Sequence, residues 1–290
     1  MPKVGNNLSS QVLEIQNEIF LIDCGEGTQL GLRKNKIKFS RIKCIFISHL
    51  HGDHYFGLIG LISTFSLLNR SADLHIYGPL GLKDLILNQI KASGSWTKYR
   101  LIFHILSSVK SETIFISEYI EVSTIPLSHR IYTNGFLFKE INLPRKINPE
   151  ALKDLNVNVA YANKLKQGFN VTNDNGDLIE NSLVTFKGLN PKSYAYCSDT
   201  EYDESIVKLI TGCDAIYHES TFLEKHQLLS KSTKHSTAKQ AGMIARLSNV
   251  KLLILGHYSS RYDNIDDFKL EAETEFNPVI LSEDSKIIEI

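Results

Sequence analysis

His49-Leu50-His51-Gly52-Asp53-His54 is the stretch that decides how this chain is read. It follows a strand-like run, Lys43-Cys44-Ile45-Phe46-Ile47-Ser48, and precedes an apolar segment of helical character from Tyr55 to Leu68. Three imidazoles and a carboxylate within six residues are costly to crowd together unless something binds them. Neutral imidazole nitrogen and carboxylate oxygen are the ligand set of zinc and similar borderline metals. Side chains alternate in extended backbone, so His49 and His51 point the same way. Gly52 allows a sharp bend, and Asp53 and His54 then aim at a second point. One short loop therefore offers ligands to two metal ions. A polar surface loop with incidental histidines would explain a lone His, not this pattern at the end of an apolar strand.

Upstream, Gln11–Ile15 and Glu18–Ile22 predict a hairpin around Gln16-Asn17, and Asp23 to Gln29 a turn entering a helix. Leu32 to Lys43 then carries six basic residues and no acid. Such a run ordinarily marks a solvated face; its place just before the histidine loop makes it equally a candidate phosphate contact. Downstream, strands are expected at Leu74–Tyr77, Arg100–Leu106, Thr113–Ile116, Tyr119–Ile125 and Gly135–Phe138, with a helix from about Gly81 to Lys91. Between Lys139 and Pro191 apolar periodicity weakens and turn signals cluster, which predicts an inserted, flexible arm over 139–191. The regular pattern resumes with strands Ser193–Cys197, Asp214–Tyr217 and Lys251–Leu255. Helices are expected at Asp203–Ile210, Ala238–Leu247 and about Ile265–Phe276, then two short strands. Ser236 or Thr237 is the candidate N-cap of the middle helix.

His129, Asp199 and His257 each stand just past one of these strands, as the histidine loop does. Seven side chains of metal-ligating type at strand ends are enough for two metals with one shared carboxylate.

The 290 residues are 42% hydrophobic and 22% charged, which suits one globular domain over 1–290 with an insertion. With 32 basic and 32 acidic residues no whole-molecule field attracts a polyanion, so RNA binding would need local basic patches. Cys24, Cys44, Cys197 and Cys213 are scattered and mostly in apolar runs, which predicts buried free thiols in a reducing cytoplasm. No signal peptide and no membrane span is read in the sequence.

Together Asp23-Cys24-Gly25-Glu26-Gly27-Thr28-Gln29, Ser48 to His54, Tyr77-Gly78-Pro79, Ser198-Asp199-Thr200, His218-Glu219-Ser220-Thr221-Phe222, His235-Ser236-Thr237 and Gly256-His257-Tyr258-Ser259 resemble ribonuclease Z, of the metallo-β-lactamase superfamily. The resemblance implies an α/β fold, the αβ/βα four-layer sandwich with a projecting arm. It implies a tRNA 3′-processing endoribonuclease that removes the 3′ trailer from precursor tRNA with a metal-activated hydroxide. Two zinc ions per subunit, with manganese as the alternative, would be held by His49, His51 and His129 and by Asp53, His54 and His257. Asp199 would bridge them. Asp53 would be the base, His235 the proton donor, and Glu219 the group that orients it. The arm would grip the tRNA body through Lys146, Lys153, Lys164 and Lys166, with Arg261 as a further phosphate contact. A homodimer is implied, one subunit's arm serving the other's active site.

Two stretches depart from the family's pattern. The chain begins at Met1-Pro2-Lys3, without the strand that ordinarily precedes this loop, and Ala160-Tyr161-Ala162-Asn163 stands where short arms usually carry a Gly-Pro pair. Two other readings compete: a hydrolase of small esters, which would need no arm, and an RNA-binding relative without catalysis, which would need no complete ligand set.

Overall fold

The computed structural model describes residues 7–290; the N-terminal departure at Met1-Pro2-Lys3 lies outside them. Strands β1 (Gln11–Ile15) and β2 (Glu18–Ile22) form the expected hairpin. Gln16 and Asn17 both adopt positive φ at its turn, the conformation a two-residue hairpin loop demands. Helix α1 (Thr28–Lys34) crosses over to β3 (Ile42–Phe46). Helices α2 (Gly52–Tyr55) and α3 (Leu58–Leu67) lead to β4 (Leu74–Pro79), and α4 (Leu82–Ala92) to β5 (Leu101–Leu106). The sheet order is β1-β2-β3-β4-β5, with β2 to β5 parallel.

The apolar segment Tyr55–Leu68 is not one helix. It breaks at Phe56-Gly57, because the Gly57 amide bonds to the Cys24 carbonyl at 2.9 Å. A Cβ at Gly57 would fall on the Gly25 carbonyl, so only glycine lets the Asp23–Gly25 turn press against the histidine loop.

The second sheet begins with a meander of β6 (Thr113–Ile116), β7 (Ile120–Leu127) and β8 (Thr133–Glu140). The arm follows: β9 (Lys146–Ile147), α5 (Pro149–Asp154), α6 (Ala162–Lys166), β10 (Val171–Thr172), β11 (Leu178–Ile179), α7 (Asn181–Val184) and β12 (Thr185–Phe186). Then come β13 (Ser193–Cys197), α8 (Val207–Ile210), β14 (Ala215–Glu219), α9 (Gln227–Thr233), α10 (Ala238–Leu247), β15 (Leu253–Gly256), α11 (Asp266–Glu273) and β16 (Val279–Leu281). The order is β16-β15-β14-β13-β8-β7-β6. Thr237, of the two candidates, caps α10 through a capping box with Gln240. Three tail and helix expectations are corrected. One tail strand, not two, forms among the described residues; α11 is shorter than Ile265–Phe276; and Asp203–Ile210 splits into a 3₁₀ turn and one α turn.

Three cores stack four layers. Leu32, Leu58, Leu61, Phe65 and Ile86 pack the first helices onto one sheet. Phe20, Phe46, Phe136, Phe138 and Tyr196 fill the space between the sheets. Ile216, Leu253, Ala241, Ile244 and Phe268 pack the last helices onto the other. The four cysteines are buried and free, as expected.

The arm is more ordered than its sequence texture suggests. Leu152, Val157, Leu165, Val171, Ile179 and Val184 form a separate small core. Ala160 to Asn163 is helical, spanning a 3₁₀ turn and the start of α6. The arm leaves the sandwich where Lys139 pairs with Ser193, and Glu140 N bonds to the Lys192 carbonyl at 2.8 Å.

Candidate metal centre

The C-terminal ends of β3, β7, β13 and β15 converge, and each hands the next few residues to one place. Asn134 at the start of β8 donates its amide to the Ser48 carbonyl (3.1 Å), joining the two sheets there.

All seven expected ligands meet at this end. His49, His51, His129 and Asp199 form one cluster, and Asp53, His54 and His257 another; within each, one ligand atom per residue lies within 4.8 Å of the others. His49 Nε2 and His51 Nδ1 are 3.0 Å apart, and His129 Nε2 is 3.3 Å from His51 Nδ1. Asp199 joins the clusters. Its Oδ2 faces His49 Nε2 (3.6 Å) and His129 Nε2 (3.8 Å), while its Oδ1 faces His54 Nε2 (3.4 Å) and His257 Nε2 (3.2 Å). Asp53 Oδ2 stands 3.8 Å from both His54 Nε2 and His257 Nε2.

Two buried carboxylates fix the ring tautomers. Asp23, fully buried, accepts from Nδ1 of His54 (2.8 Å), the Ser48 hydroxyl (2.9 Å) and the Tyr196 hydroxyl (2.7 Å). Because Ser48 spends its proton on Asp23, it accepts from His49 Nδ1 at 3.0 Å. Glu219, also fully buried, accepts from Nδ1 of His235 (2.7 Å) and the Thr221 hydroxyl (2.7 Å). Thr221 in turn accepts from His257 Nδ1 (2.8 Å). Each carboxylate therefore orients one histidine directly and a second through a hydroxyl. His129 donates Nδ1 to the Lys234 carbonyl (2.8 Å). The Nε2 atoms of His49, His54, His129 and His257 are left facing the cluster, the orientation of imidazoles that bind a metal once deprotonated. The donor set fits two ions of zinc type: three nitrogens and a carboxylate oxygen in one cluster, two nitrogens and two carboxylates in the other.

Electrostatics divide the clusters. Burial, reinforced by the neighbouring His54, pushes His49 down to about 2, and burial also lowers His51 and His129. Burial would lower His257 too, but Asp199 and Asp53 outweigh it and hold the ring up at about 10. His54 is raised against its burial by Asp199 and Asp23. Burial would raise Asp199, but His257, His54 and His49 hold it well below the usual carboxylate range. Positive charge is thus favoured on the Asp53, His54, His257 side before any cation is added.

Other expected residues are placed variously. His235 lies beside both clusters, its ring 5.0 Å from His129 and 5.5 Å from His257 between centroids. Arg261 sits over the Phe222 ring (5.2 Å) near the site. Lys146, Lys153, Lys164 and Lys166 are exposed on the arm, remote in sequence and packing from the ligands. Asp23, Ser48, Thr221 and the Lys234 carbonyl were not singled out as site residues from sequence; the first three lie inside or beside the quoted motifs, which was their only signal.

Comparison with known proteins settles the family. The chain is 40% identical over its 290 residues to "Ribonuclease Z" of Bacteroides fragilis, covering 95% of that protein. The chain belongs to the ribonuclease Z family. "Ribonuclease Z" of Phocaeicola vulgatus is 41% identical over the same span, 94% of that protein. The crystal structure of human tRNase Z, short form, superimposes with a TM-score of 0.69 at 28% identity, over 98% of this chain and 92% of that one. Residues 3–144 also match a family described as "Anti-Pycsar protein Apyc1", a span ending near the base of the arm. The ribonuclease Z architecture is that of the metallo-β-lactamase fold: a protein of that fold from Bacillus subtilis superimposes with a TM-score of 0.67, at 16% identity over 99% of this chain and 93% of that one.

Proposed function

We propose that this ribonuclease Z family member is a zinc-dependent endoribonuclease that removes the 3′ trailer from precursor tRNA. The observation that carries the reading is Asp199, one carboxylate with an oxygen turned to each of two histidine clusters. Two zinc ions, or manganese, would be held by His49, His51 and His129 and by Asp53, His54 and His257, with Asp199 between. When bound they supply Lewis-acid charge neutralisation and an acidified water.

The chain's own groups then divide the proton work. Asp53, with 44% of its side chain exposed against 4% for Asp199, can reach substrate and accept the proton of the attacking water. His235, its Nδ1 held by Glu219, presents Nε2 to the departing 3′ oxygen. The P–O3′ bond breaks as that oxygen takes the His235 proton, and a 5′-phosphate remains on the trailer.

Substrate grip belongs to the arm in this reading. Lys146, Lys153, Lys164 and Lys166 are exposed cations, and no carboxylate among the described residues pairs with them. The arm's root is at the far end of β8 from the ligands; eight residues at about 3.3 Å each put it roughly 25 Å away. That placement favours a homodimer in which one subunit's arm serves the other's site. Sedimentation showing a fully active monomer would remove the dimer from the proposal.

The test of function is incubation with a trailer-bearing precursor tRNA and, separately, with bis-(p-nitrophenyl) phosphate. Cleavage of both is expected. Diester hydrolysis alone would point to a small-ester hydrolase, and binding without cleavage to an RNA-binding relative.

A further inference from the structure

At the opposite end of the first sheet from the strand-end cluster lies a cavity of about 430 Å³. It is built where α1 ends, the chain turns through Lys36 at φ 56, and a 3₁₀ turn (Phe39–Arg41) leads into β3. Arg33, Lys36, Lys38 and Arg70 supply its charge; Phe39 and Phe65 are part of its apolar lining. Arg33, Lys36 and Lys38 belong to the basic run that the proposed catalytic reading leaves unused.

The charge is uncompensated. Three carboxylates near it are committed to cations outside the cavity: Glu14 to Arg41 (2.7 Å), Glu18 to Lys43 (3.4 Å) and Asp73 to Arg100. Arg70 is 9% exposed, yet among the described residues its guanidinium bonds only to the carbonyls of Ala72 (2.8 Å), Ile42 (2.9 Å) and Asp73 (2.8 Å). It rests over the Phe65 ring at 5.0 Å and the Tyr99 ring at 5.6 Å. Asp73 favours its charge from a distance, but no carboxylate among the described residues bonds to it, and an anion entering the cavity would supply that partner. Arg33, Lys36 and Lys38 at the rim have no ion pair among the described residues.

We propose that this cavity binds an unstacked nucleotide: the phosphate at Arg33, Lys36 and Lys38, the base against the apolar wall. Four cations call for a multiply charged anion, and a terminal phosphate monoester supplies two charges where a carboxylate or a phosphodiester supplies one. A duplex would offer phosphates but no free base, leaving the apolar wall without a partner. The shared chemistry has two sources, a free mononucleotide or the unpaired, phosphate-bearing terminal nucleotide of an RNA strand. The site is separate from the strand-end cluster and stands whatever that cluster does.

The test is photolabelling of the full, metal-loaded chain with 8-azidoadenosine 5′-monophosphate, followed by peptide mapping. Label is expected within 33–40 or 65–70, protected by AMP but not by equal adenosine or equal inorganic phosphate. Lys36→Glu with Lys38→Glu should cut that label by about tenfold, a difference of about 1.4 kcal/mol, with diester hydrolysis unchanged. Protection by a short single-stranded oligoribonucleotide well beyond AMP would identify an RNA strand as the source; equal or weaker protection would identify the free nucleotide. Label confined to the strand-end cluster, or protection by inorganic phosphate as good as by AMP, would overturn the proposal. Should the double variant not fold, the protection pattern of the unaltered protein still decides.

Discussion

The Thr221 hydroxyl accepts from Nδ1 of His257 at 2.8 Å while donating to Glu219, so a threonine sets the tautomer of a candidate ligand that follows the next strand of the sheet. Thr221→Val keeps the shape and removes the relay. Zinc affinity, read by competition with a chromogenic chelator, should fall by about 10- to 100-fold. Thr221→Ser should restore it. Unchanged affinity in Thr221→Val would show that the hydroxyl does not orient His257.

Lys234 stands in the left-handed region, φ 55 and ψ 54, and this conformation turns its carbonyl onto His129. Its Nζ reaches Glu201 (3.0 Å), which also takes the Ser128 hydroxyl. Lys234→Gly should keep the carbonyl in place and relieve about 1 kcal/mol of backbone strain, leaving diester turnover within a few-fold. Lys234→Pro, with φ held near −65°, should turn the carbonyl away and lower turnover by an order of magnitude or more. Matching turnover in the two variants would show that this carbonyl does not orient His129.

Asp53→Ala should lower turnover by about 100-fold or more while precursor tRNA binding stays nearly intact. RNA affinity in the proposed reading comes from cations elsewhere, whereas Asp53 faces both His54 and His257. Filter binding alongside single-turnover cleavage separates the two; parallel loss would assign Asp53 a folding role.

Replacing Ile141–Pro191 by a short Gly-Ser linker should leave diester hydrolysis in place. The arm has its own core, and residues 140 and 192 are already hydrogen-bonded neighbours, so the gap is short. Precursor tRNA cleavage should fall by about 100-fold, the scale on which a second tethered contact raises avidity. Each phosphate that an arm lysine neutralises steepens the log–log salt dependence of binding by about 0.7–0.9, so removing the arm should flatten that slope. Processing near the full-length level with an unchanged slope would mean that the RNA is held elsewhere.

His218 is buried with its Nδ1 on the Glu219 carbonyl and its Nε2 without a hydrogen-bond partner among the described residues. Burial holds its pKa below the ordinary value. The unfolded chain then binds more protons just below about pH 6.5, so this contribution is complete above that pH and is lost as pH falls. Between about pH 7.5 and 5.5 the His218 contribution should be lost as pH falls, against opposite contributions from the raised His54 and His257, so the readout is urea unfolding of chelator-treated protein beside His218→Leu. In His218→Leu the slope should be smaller by up to about 1.4 kcal/mol per pH unit. Other lowered histidines act in both proteins, so only the difference is diagnostic. Identical slopes would show that His218 titrates normally.

Much of the site is legible in the sequence because its ligands follow strands whose apolar runs are themselves legible. His49, Asp199 and His257 need only the period of the strand before them. Ser48 and Thr221 are less visible, since a relay hydroxyl has the same letters as any polar residue. The Lys234 contribution is a backbone carbonyl, which no side-chain pattern encodes. The break at Phe56-Gly57 depends on Cys24 and Gly25, about thirty positions earlier and adjacent only in space. The arm's core was missed because its strands are two residues long, too short for period two to register. Helix α9 was passed over for a similar reason, Leu228 being exposed rather than part of a buried stripe.

The arm is joined to the sandwich at the ends of β8 and β13 and at the neighbouring Glu118–Tyr119 turn, and keeps a core to itself. Its surface can therefore accumulate substitutions, lengthen or shorten in descendants without touching the strands that carry Asp199 and the histidines. In the proposed reading, chemistry and choice of substrate are free to drift at separate rates, and divergence within the family should concentrate between residues 140 and 192.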